Sequence, residues 1–207
     1  DKWGEGWCWD DKNPVLTPLL FSGKDIFMAR FLDALVAHGI YVDANIDEKR
    51  KPADAFCIVN RFHTIDQILM RMLKESNNLY AEAMYYQIAA STGNHPASAR
   101  SARAVERRLV DKIGLDASRY KFADGSGLSL YNYVSAELEV KMLRYAYKNE
   151  NIRHQLMPAL PIAGVDGTLK KRMKGCFTRD NVKAKTGTLT GISSLAGYCQ
   201  AANGHTL

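Results

Sequence analysis

The chain has 207 residues, of which 46% are hydrophobic and 24% are charged, a composition typical of a folded globular protein. No stretch approaches the ~20 consecutive apolar residues of a membrane-spanning helix. Lys and Arg outnumber Asp and Glu by 28 to 22, which gives a net charge of +6. Because the basic residues are spread over several segments without a nucleic-acid-binding motif, an anionic small molecule or polymer is the partner that we expect.

The N-terminal part of the sequence favours an extended or irregular start followed by one helix. Residues 3–11 are rich in Gly and Trp and predict a strand or an irregular packed segment. The two prolines within 12–24 predict a connector. Apolar residues then recur at helical spacing over 25–38. A polar loop over 43–54 and a short apolar strand over 55–60 complete this part.

The middle of the chain predicts an all-helical region. Thr64 and Gln67 form a capping box ahead of an apolar face, and the turn-favouring residues 76–78 end that helix. A loop is expected over 124–129. The remaining helices are predicted over 79–90, 98–113 and 135–148, the last of them capped by Ser135.

The C-terminal part predicts strands. After a loop around 164–167, residues 181–188 and 192–201 each form a predicted strand. Asn203-Gly204 is a strong hairpin-turn signal, and only residues 205–207 follow it. We therefore expect most of the returning strand to lie beyond Leu207.

The four cysteines do not form a metal-binding pattern. They contain no Cys-x-x-Cys pair and no Cys/His ligand spacing, so we expect no zinc site. Four cysteines permit three disulfide pairings, among which the sequence does not choose. Buried free thiols are the alternative that we favour; the four are Cys8, Cys57, Cys176 and Cys199.

Two short motifs place polar groups at defined positions in the predicted elements. Ser76 and Asn78 form a Ser-x-Asn motif between two predicted helices. A Lys-Thr-Gly motif lies on the first C-terminal strand. Each motif alone is also explained by local structure, as helix caps in the first case and as a solvated strand lysine in the second. The residues of the second motif and the one after it are Lys185, Thr186, Gly187 and Thr188.

Together the motifs resemble the Ser-x-Asn and Lys-Thr-Gly elements of the penicillin-recognising serine acyltransferases. The segments 68–82, 124–129, 160–169 and 182–188 are similar to segments of the D-alanyl-D-alanine carboxypeptidase/endopeptidase family, the class C low-molecular-mass penicillin-binding proteins. Residues 3–11 are similar to the Trp-rich segment that follows the nucleophile helix in that family. The resemblance is therefore distributed over most of the chain.

The resemblance assigns a role to each motif residue. It implies that Ser76, Asn78 and Lys185 are catalytic: the hydroxyl and the amide relay a proton and hold a peptide amide, and the ammonium faces a substrate carboxylate. Gly187 leaves room for a substrate along the strand edge, and a strand N–H supplies part of an oxyanion hole. The Thr186 or Thr188 hydroxyl is expected to bind the carboxylate.

The implied fold is a mixed α/β (α+β) transpeptidase-like domain, with an antiparallel sheet, flanking helices and a helical lobe. We expect an N-terminal part and connector over 1–62, the helical lobe over 63–158 and the sheet portion over 159–207. The implied activity is cleavage or transfer at a terminal D-Ala of peptidoglycan through a serine acyl-enzyme, without a metal or cofactor. The implied partners are peptidoglycan stem peptides and β-lactams, in the periplasm or at the outer face of the cell envelope.

The sequence departs from the family at its first motif, Ser-x-x-Lys. The one occurrence here begins at Ser118 and ends at Lys121, in a loop just before Asp124, and we interpret it as a coincidence. We expect the nucleophile to lie upstream of Asp1 and the chain by itself to show no turnover. The family's accessory domain is also missing between residue 11 and the Ser-x-Asn motif, and Asn77 stands where the family often has Asp.

Three alternatives remain. A β-lactamase shares the three motifs, but the segments 124–129 and 160–169 are more similar to the carboxypeptidases. A catalytically inactive module could hold peptidoglycan through a basic cleft. A nucleic-acid-binding protein is the third alternative, and only the net charge supports it.

Overall fold

A computed structural model describes residues 7–10, 13–18, 23–42, 50–93 and 97–207. The chain divides into two compact units, Asp1–Val59 and Asn60–Leu207, and each is considered by itself. The predictions for residues 3–6, 11–12 and 43–49 lie outside the described residues. In the described part of the chain, every helix is too short or too polar to cross a membrane.

The first unit contains a hairpin and a helix. Strand β1 (Trp7–Asp10) pairs antiparallel with β2 (Asn13–Pro18). The prediction of a connector over 12–24 is therefore wrong for β2, whose two prolines lie at or next to its ends, where a missing backbone N–H is tolerated. Helix α1 (Gly23–Ala37) confirms the helix predicted over 25–38.

The short strand predicted over 55–60 is wrong. These residues form no regular element, and the Phe56 and Ile58 side chains are each 85% exposed. An apolar run becomes a strand only when a neighbouring strand accepts its backbone hydrogen bonds. No such neighbour occurs among the described residues.

Five helices form most of the second unit. The capping box is confirmed at the start of the first one, where the Thr64 N–H donates to Gln67 Oε1 at 3.2 Å and the Gln67 N–H donates to Thr64 Oγ1 at 3.3 Å. The predicted helices at 79–90, 98–113 and 135–148 are confirmed to within a residue or two. The five are α2 (Ile65–Lys74), α3 (Asn78–Ala90), α4 (Ala99–Lys112), α5 (Ala136–Lys148) and α6 (Glu150–Ala159).

Helix α6 was not predicted. Asn149 both ends α5 and caps α6, accepting a hydrogen bond from the Ile152 N–H at 3.3 Å. The helix has only 10 residues and contains Pro158. Its short length and this proline hide the periodicity by which a helix is recognised in a sequence.

The loop over 124–129 is held against α3. The Asp124 carboxylate accepts hydrogen bonds from the N–H groups of Gly127 at 2.8 Å and Ser129 at 2.6 Å. From α3, Glu82 accepts one from the Ser126 N–H at 2.9 Å. A Cβ added at Gly125 would lie 2.5 Å from the Tyr85 Cβ, so only glycine permits this close approach.

A buried carboxyl group lies on α4 beside this loop. The Glu106 Oε2 atom is buried and has no hydrogen-bond partner among the described residues. Burial raises the pKa of Glu106 to about 7, against the opposing effect of Arg103 and with the support of the Asp124 charge. The folded protein therefore keeps a proton on Glu106 at pH values where the unfolded chain loses it.

This titration predicts a pH-dependent stability. Between the ordinary pKa of 4.5 and the folded value of about 7, the folded state binds more protons, so stability falls as the pH rises. We expect Glu106→Gln to remove this contribution, so that the variant gains stability relative to the parent as the pH rises from about 5 to about 8. Denaturant unfolding at both pH values measures it. A matched control is Glu137→Gln on the exposed face of α5, and equal pH slopes for the parent and Glu106→Gln would contradict the prediction.

The sheet of the second unit is small and antiparallel. Strand β3 (Lys183–Leu189) pairs with β4 (Ile192–Tyr198), and Lys185 lies opposite Ala196. On the other edge of β3, the Ala184 N–H donates to the Pro161 carbonyl at 3.0 Å. The segment 160–169 therefore runs beside β3 and connects the sheet to the helices.

The predicted hairpin turn at Asn203-Gly204 is confirmed. The Ala201 N–H donates to the His205 carbonyl at 2.7 Å, and the Leu207 N–H donates to the Cys199 carbonyl at 2.8 Å. Gly204 has a φ of 81°, which glycine adopts without steric cost. The return toward β4 thus begins within residues 205–207.

Candidate active site

Ser76 lies in the left-handed position just after a helix, where glycine is the usual residue. It follows α2 with a φ of 55°, and the Asn77 N–H donates to the Met72 carbonyl at 3.1 Å. This bond, across a residue in the left-handed conformation, defines a Schellman motif. The conformation costs a residue with a side chain about 1 kcal/mol or more.

Two other helices of the same chain end in this motif with glycine. Gly39 follows α1 with a φ of 76°, and Gly114 follows α4 with a φ of 80°. In each case the next residue donates its N–H back into the last turn, from Ile40 to Leu35 at 2.9 Å and from Leu115 to Val110 at 3.1 Å. The helix ending therefore does not require a serine at position 76. A residue other than glycine that is held in this strained backbone conformation is typical of functional sites.

The two asparagines after Ser76 have different positions. Asn77 caps α3, accepting a hydrogen bond from the Tyr80 N–H at 3.2 Å. Asn78 is the first residue of α3, its side chain is exposed, and it makes no hydrogen bond to the described residues. The capping function that either could have served is therefore taken by Asn77, and the amide of Asn78 stays available.

The structure brings Ser76 and Lys185 into direct contact. The Lys185 Nζ donates to Ser76 Oγ at 2.8 Å and to the Thr186 carbonyl at 2.6 Å. An ammonium group has three donors, so one remains for a further ligand. Burial lowers the pKa of Lys185 below its ordinary value, because the charged form loses solvation. Because Ser76 accepts this bond, its own proton remains free to be donated.

The other residues of the strand motif lie next to this contact. The Thr186 hydroxyl donates to Thr168 Oγ1 at 2.9 Å, and Thr188 is exposed. Gly187 lies opposite Ser194, whose hydroxyl takes the space that a Cβ at residue 187 would need. The strand thus presents one engaged hydroxyl at Thr186 and one free to meet a ligand at Thr188.

The sequence did not single out the residues that join the two motifs. The Lys74 Nζ donates to Asp166 Oδ2 at 2.6 Å, and Thr168 meets Thr186 two residues further along the same segment. Lys74 and Asp166 are 92 residues apart, and no local pattern relates two such distant positions. The available signals were the resemblance of segment 160–169 and the place of Lys74 two residues before Ser76.

Ser118 and Lys121 lie in different surroundings. Ser118 belongs to a single 3₁₀ turn, Ala117–Arg119, and its N–H donates to Asp116 Oδ1 at 2.8 Å. The Lys121 ammonium lies 5.5 Å from the centre of the Tyr131 ring and makes no hydrogen bond to Ser118. This Ser-x-x-Lys sequence therefore lacks both the helix start and the Ser–Lys contact that activate such a serine.

Groups of three or more His, Cys, Asp or Glu side chains that could hold a metal ion do not occur within the described ranges. Cys57, Cys176 and Cys199 are free thiols. Cys57 and Cys176 are exposed and Cys199 is half-buried, so the burial expected of free thiols holds only in part.

Known proteins are similar to this chain in fold and in sequence. Residues 16–207 match the model of the D-Ala-D-Ala carboxypeptidase 3 (S13) family. The D-alanyl-D-alanine carboxypeptidase DacB of Haemophilus influenzae is 36% identical over 143 residues, which are 68% of this chain and 29% of that protein. The crystal structure of penicillin binding protein 4 (dacB) from the same organism superposes with a TM-score of 0.79 at 29% identity, covering 93% of this chain and 44% of that one. Its complex with a β-lactam gives a TM-score of 0.76 at 30% identity, with 94% and 46% covered.

The chain belongs to the D-Ala-D-Ala carboxypeptidase 3 (S13) family. The predicted fold class and family are both confirmed, with helices packed beside a small antiparallel sheet. The chain spans 29% of the curated relative and less than half of each of these two solved chains. Activity, substrates and partners therefore concern the whole protein of which these residues form part.

Proposed function

We propose that the whole protein is a serine-type D-Ala-D-Ala carboxypeptidase or endopeptidase that acts on peptidoglycan stem peptides and is acylated by β-lactams. The observation that carries the proposal is the 2.8 Å contact between Lys185 on β3 and Ser76 at the end of α2. The two groups come from a strand and from a helix end, so the contact joins the helical part of the second unit to its sheet. In this family such a protein works in the periplasm or at the outer face of the cell envelope, and we propose the same location here.

The residues take the following roles in this proposal. Lys185 places a positive charge opposite the substrate's terminal carboxylate and holds the Ser76 hydroxyl. Ser76 passes a proton toward the leaving amine, a positioned proton transfer of the kind that speeds reactions by ~10²- to 10⁴-fold. Asn78 holds the peptide amide, and Thr188 binds the carboxylate beside Gly187. Thr186, whose hydroxyl is engaged by Thr168, supports the strand.

We propose that the acylated serine belongs to a Ser-x-x-Lys motif outside the 207 residues. The surroundings of Ser118 support this, since Lys121 lies over Tyr131 and the Ser118 side chain hydrogen-bonds to Asp116 instead of to a lysine. Residues 63–158 and 159–207 would then be the helical lobe and the sheet portion of one transpeptidase-like domain. The 207-residue chain alone is expected to show no turnover.

The test is labelling with a fluorescent penicillin, followed by intact mass and peptide mapping, on the whole protein and on the 207-residue chain. We expect one covalent label per molecule of the whole protein, at a serine outside these residues, and none on the chain alone. Ser118→Ala in the whole protein should label as the parent does. A label mapped to Ser118 would contradict the assignment of the nucleophile, and an unlabelled whole protein would contradict the proposed function.

A further inference from the structure

A partly buried ion pair connects the end of α2 to the segment 160–169. The Lys74 Nζ donates to Asp166 Oδ2 at 2.6 Å and to the Leu160 carbonyl at 2.7 Å. The Lys74 side chain is 13% exposed and the Asp166 side chain is 38% exposed. The second oxygen of Asp166 accepts the Ile162 N–H at 2.8 Å, so both partners are held by further hydrogen bonds.

The same segment is fixed to β3 on its other side. The Ala163 N–H donates to the Val182 carbonyl at 2.9 Å, and the Ala184 N–H donates to the Pro161 carbonyl at 3.0 Å. Beyond Asp166, Thr168 accepts the Thr186 hydroxyl bond. A continuous series of contacts therefore runs from Lys74 through the segment 160–169 to the strand that bears Lys185.

The backbone beside the pair is closely packed at Gly167. Gly167 has a φ of 53°, and a Cβ added there would lie 2.9 Å from the Lys74 carbonyl. Lys74 is the last residue of α2, and Ser76 follows two positions later. The pair therefore lies at the end of α2, two residues before the serine whose hydroxyl contacts Lys185.

A pair with one nearly buried partner is poorly explained by stability alone. Taking the Lys74 charge and part of the Asp166 charge out of water offsets much of the free energy that their attraction returns, whereas the geometry of such a pair is narrowly defined. Another pair at the same helix end provides a contrast: Arg71 and Glu75 meet at 3.2 Å, with side chains 59% and 57% exposed. That pair joins α2 to the residue that follows it, and among the described residues no hydrogen bond links it to the sheet.

We propose that the Lys74–Asp166 pair is a positioning device that sets the contact between Ser76 and Lys185. This inference rests on the proposed function for its consequence in acylation, although the geometry it describes does not. Asp166→Asn removes the charge and keeps an oxygen for the Ile162 N–H. Lys74→Met keeps the buried stem and removes the ammonium.

The first readout is the rate of penicillin labelling in the whole protein, read separately from the final labelled fraction. Displacement of a reacting group by about 1 Å can slow a reaction by ~100-fold. We expect each single variant to be labelled roughly 10- to 100-fold more slowly while the final fraction stays at the parent value. The double variant should be no slower than either single one, because the pair acts as a unit. Glu75→Gln, which removes the exposed neighbouring pair, should label at the parent rate.

The second readout does not need activity. Lys185 is half-buried and bound to Ser76, so it should react slowly with an acetylating reagent whose products are quantified by peptide mass spectrometry. Loosening the contact by Asp166→Asn should raise its acetylation rate by roughly three- to tenfold. Lys183 on the same strand and exposed Lys174 serve as controls whose rates should not change.

The outcomes separate the two proposals. Unchanged labelling and unchanged Lys185 acetylation in both single variants would overturn the positioning inference and leave the proposed function standing. A final labelled fraction that falls together with the rate, or faster acetylation at Lys183 as well, would assign the pair a merely structural role and overturn it too. If the parent takes no label but Lys185 alone becomes more reactive in Asp166→Asn, the proposed function fails and the positioning inference holds.

Discussion

Replacing Lys185 by Ala in the whole protein should abolish penicillin labelling while leaving the fold intact. The ammonium is the one charged group in contact with Ser76 among the described residues, and it has a donor left for a substrate carboxylate. Removing a single preorganised donor of this kind slows acyl transfer by ~100-fold or more. Labelling kinetics measure the effect, and thermal unfolding checks the fold.

The fold should tolerate this change because Lys185 is half-buried and its pKa is already lowered by burial. Removing a partly desolvated charge does not leave an unpaired carboxylate behind, since the partners of Lys185 are a hydroxyl and a carbonyl. The matched control is Lys174→Ala, which removes one exposed lysine charge outside the strand motif. Labelling of Lys185→Ala at the parent rate would contradict the role given to this strand.

Ser76→Gly should stabilise the protein and inactivate it at the same time. Glycine adopts the left-handed conformation of residue 76 without the steric cost that serine bears, which predicts a gain of about 1 kcal/mol in the free energy of unfolding. Losing the hydroxyl removes a proton relay, and we expect labelling to slow by ~100-fold or more. Denaturant unfolding and labelling kinetics on the same preparation test both parts.

The reciprocal change at another helix end is the control. Gly114 ends α4 in the same motif, with a φ of 80° and no atom within 4 Å of an added Cβ. Gly114→Ser should therefore lower stability by about 1 kcal/mol and leave labelling unchanged. If Ser76→Gly is destabilising, or if it labels as fast as the parent, then Ser76 has been given the wrong role.

Local signals predicted helices α1 to α5 correctly, although they missed α6. The capping box at Thr64 and the turn at Asn203-Gly204 depend on neighbouring residues only, so the sequence contains all that determines them. The same is true of the break after α2, where Ser76 and Asn77 follow one another in the motif that ends the helix. The family resemblance then indicated that the turn after α2 bears residues of the candidate site.

Features that depend on distant partners were not predictable in this way. Strand β2 forms because it pairs with β1, whereas the apolar run at 55–60 has no such neighbour among the described residues and is irregular. The Lys74–Asp166 pair joins residues 92 positions apart. The contact of Lys185 with Ser76 joins residues 109 positions apart, and no local pattern in the sequence relates them.

The most direct test of the central claim is release of D-alanine by the whole protein from a pentapeptide that ends in D-Ala-D-Ala. The role proposed for Ser76, Asn78 and Lys185 predicts release from this peptide, no release from the same peptide ending in L-Ala, and loss of release after treatment with penicillin. Release should also be lost in Lys185→Ala and retained in Lys174→Ala. Absence of release from the D-Ala-D-Ala peptide, or release that penicillin does not affect, would contradict the claim that these residues form the acyl-transfer site.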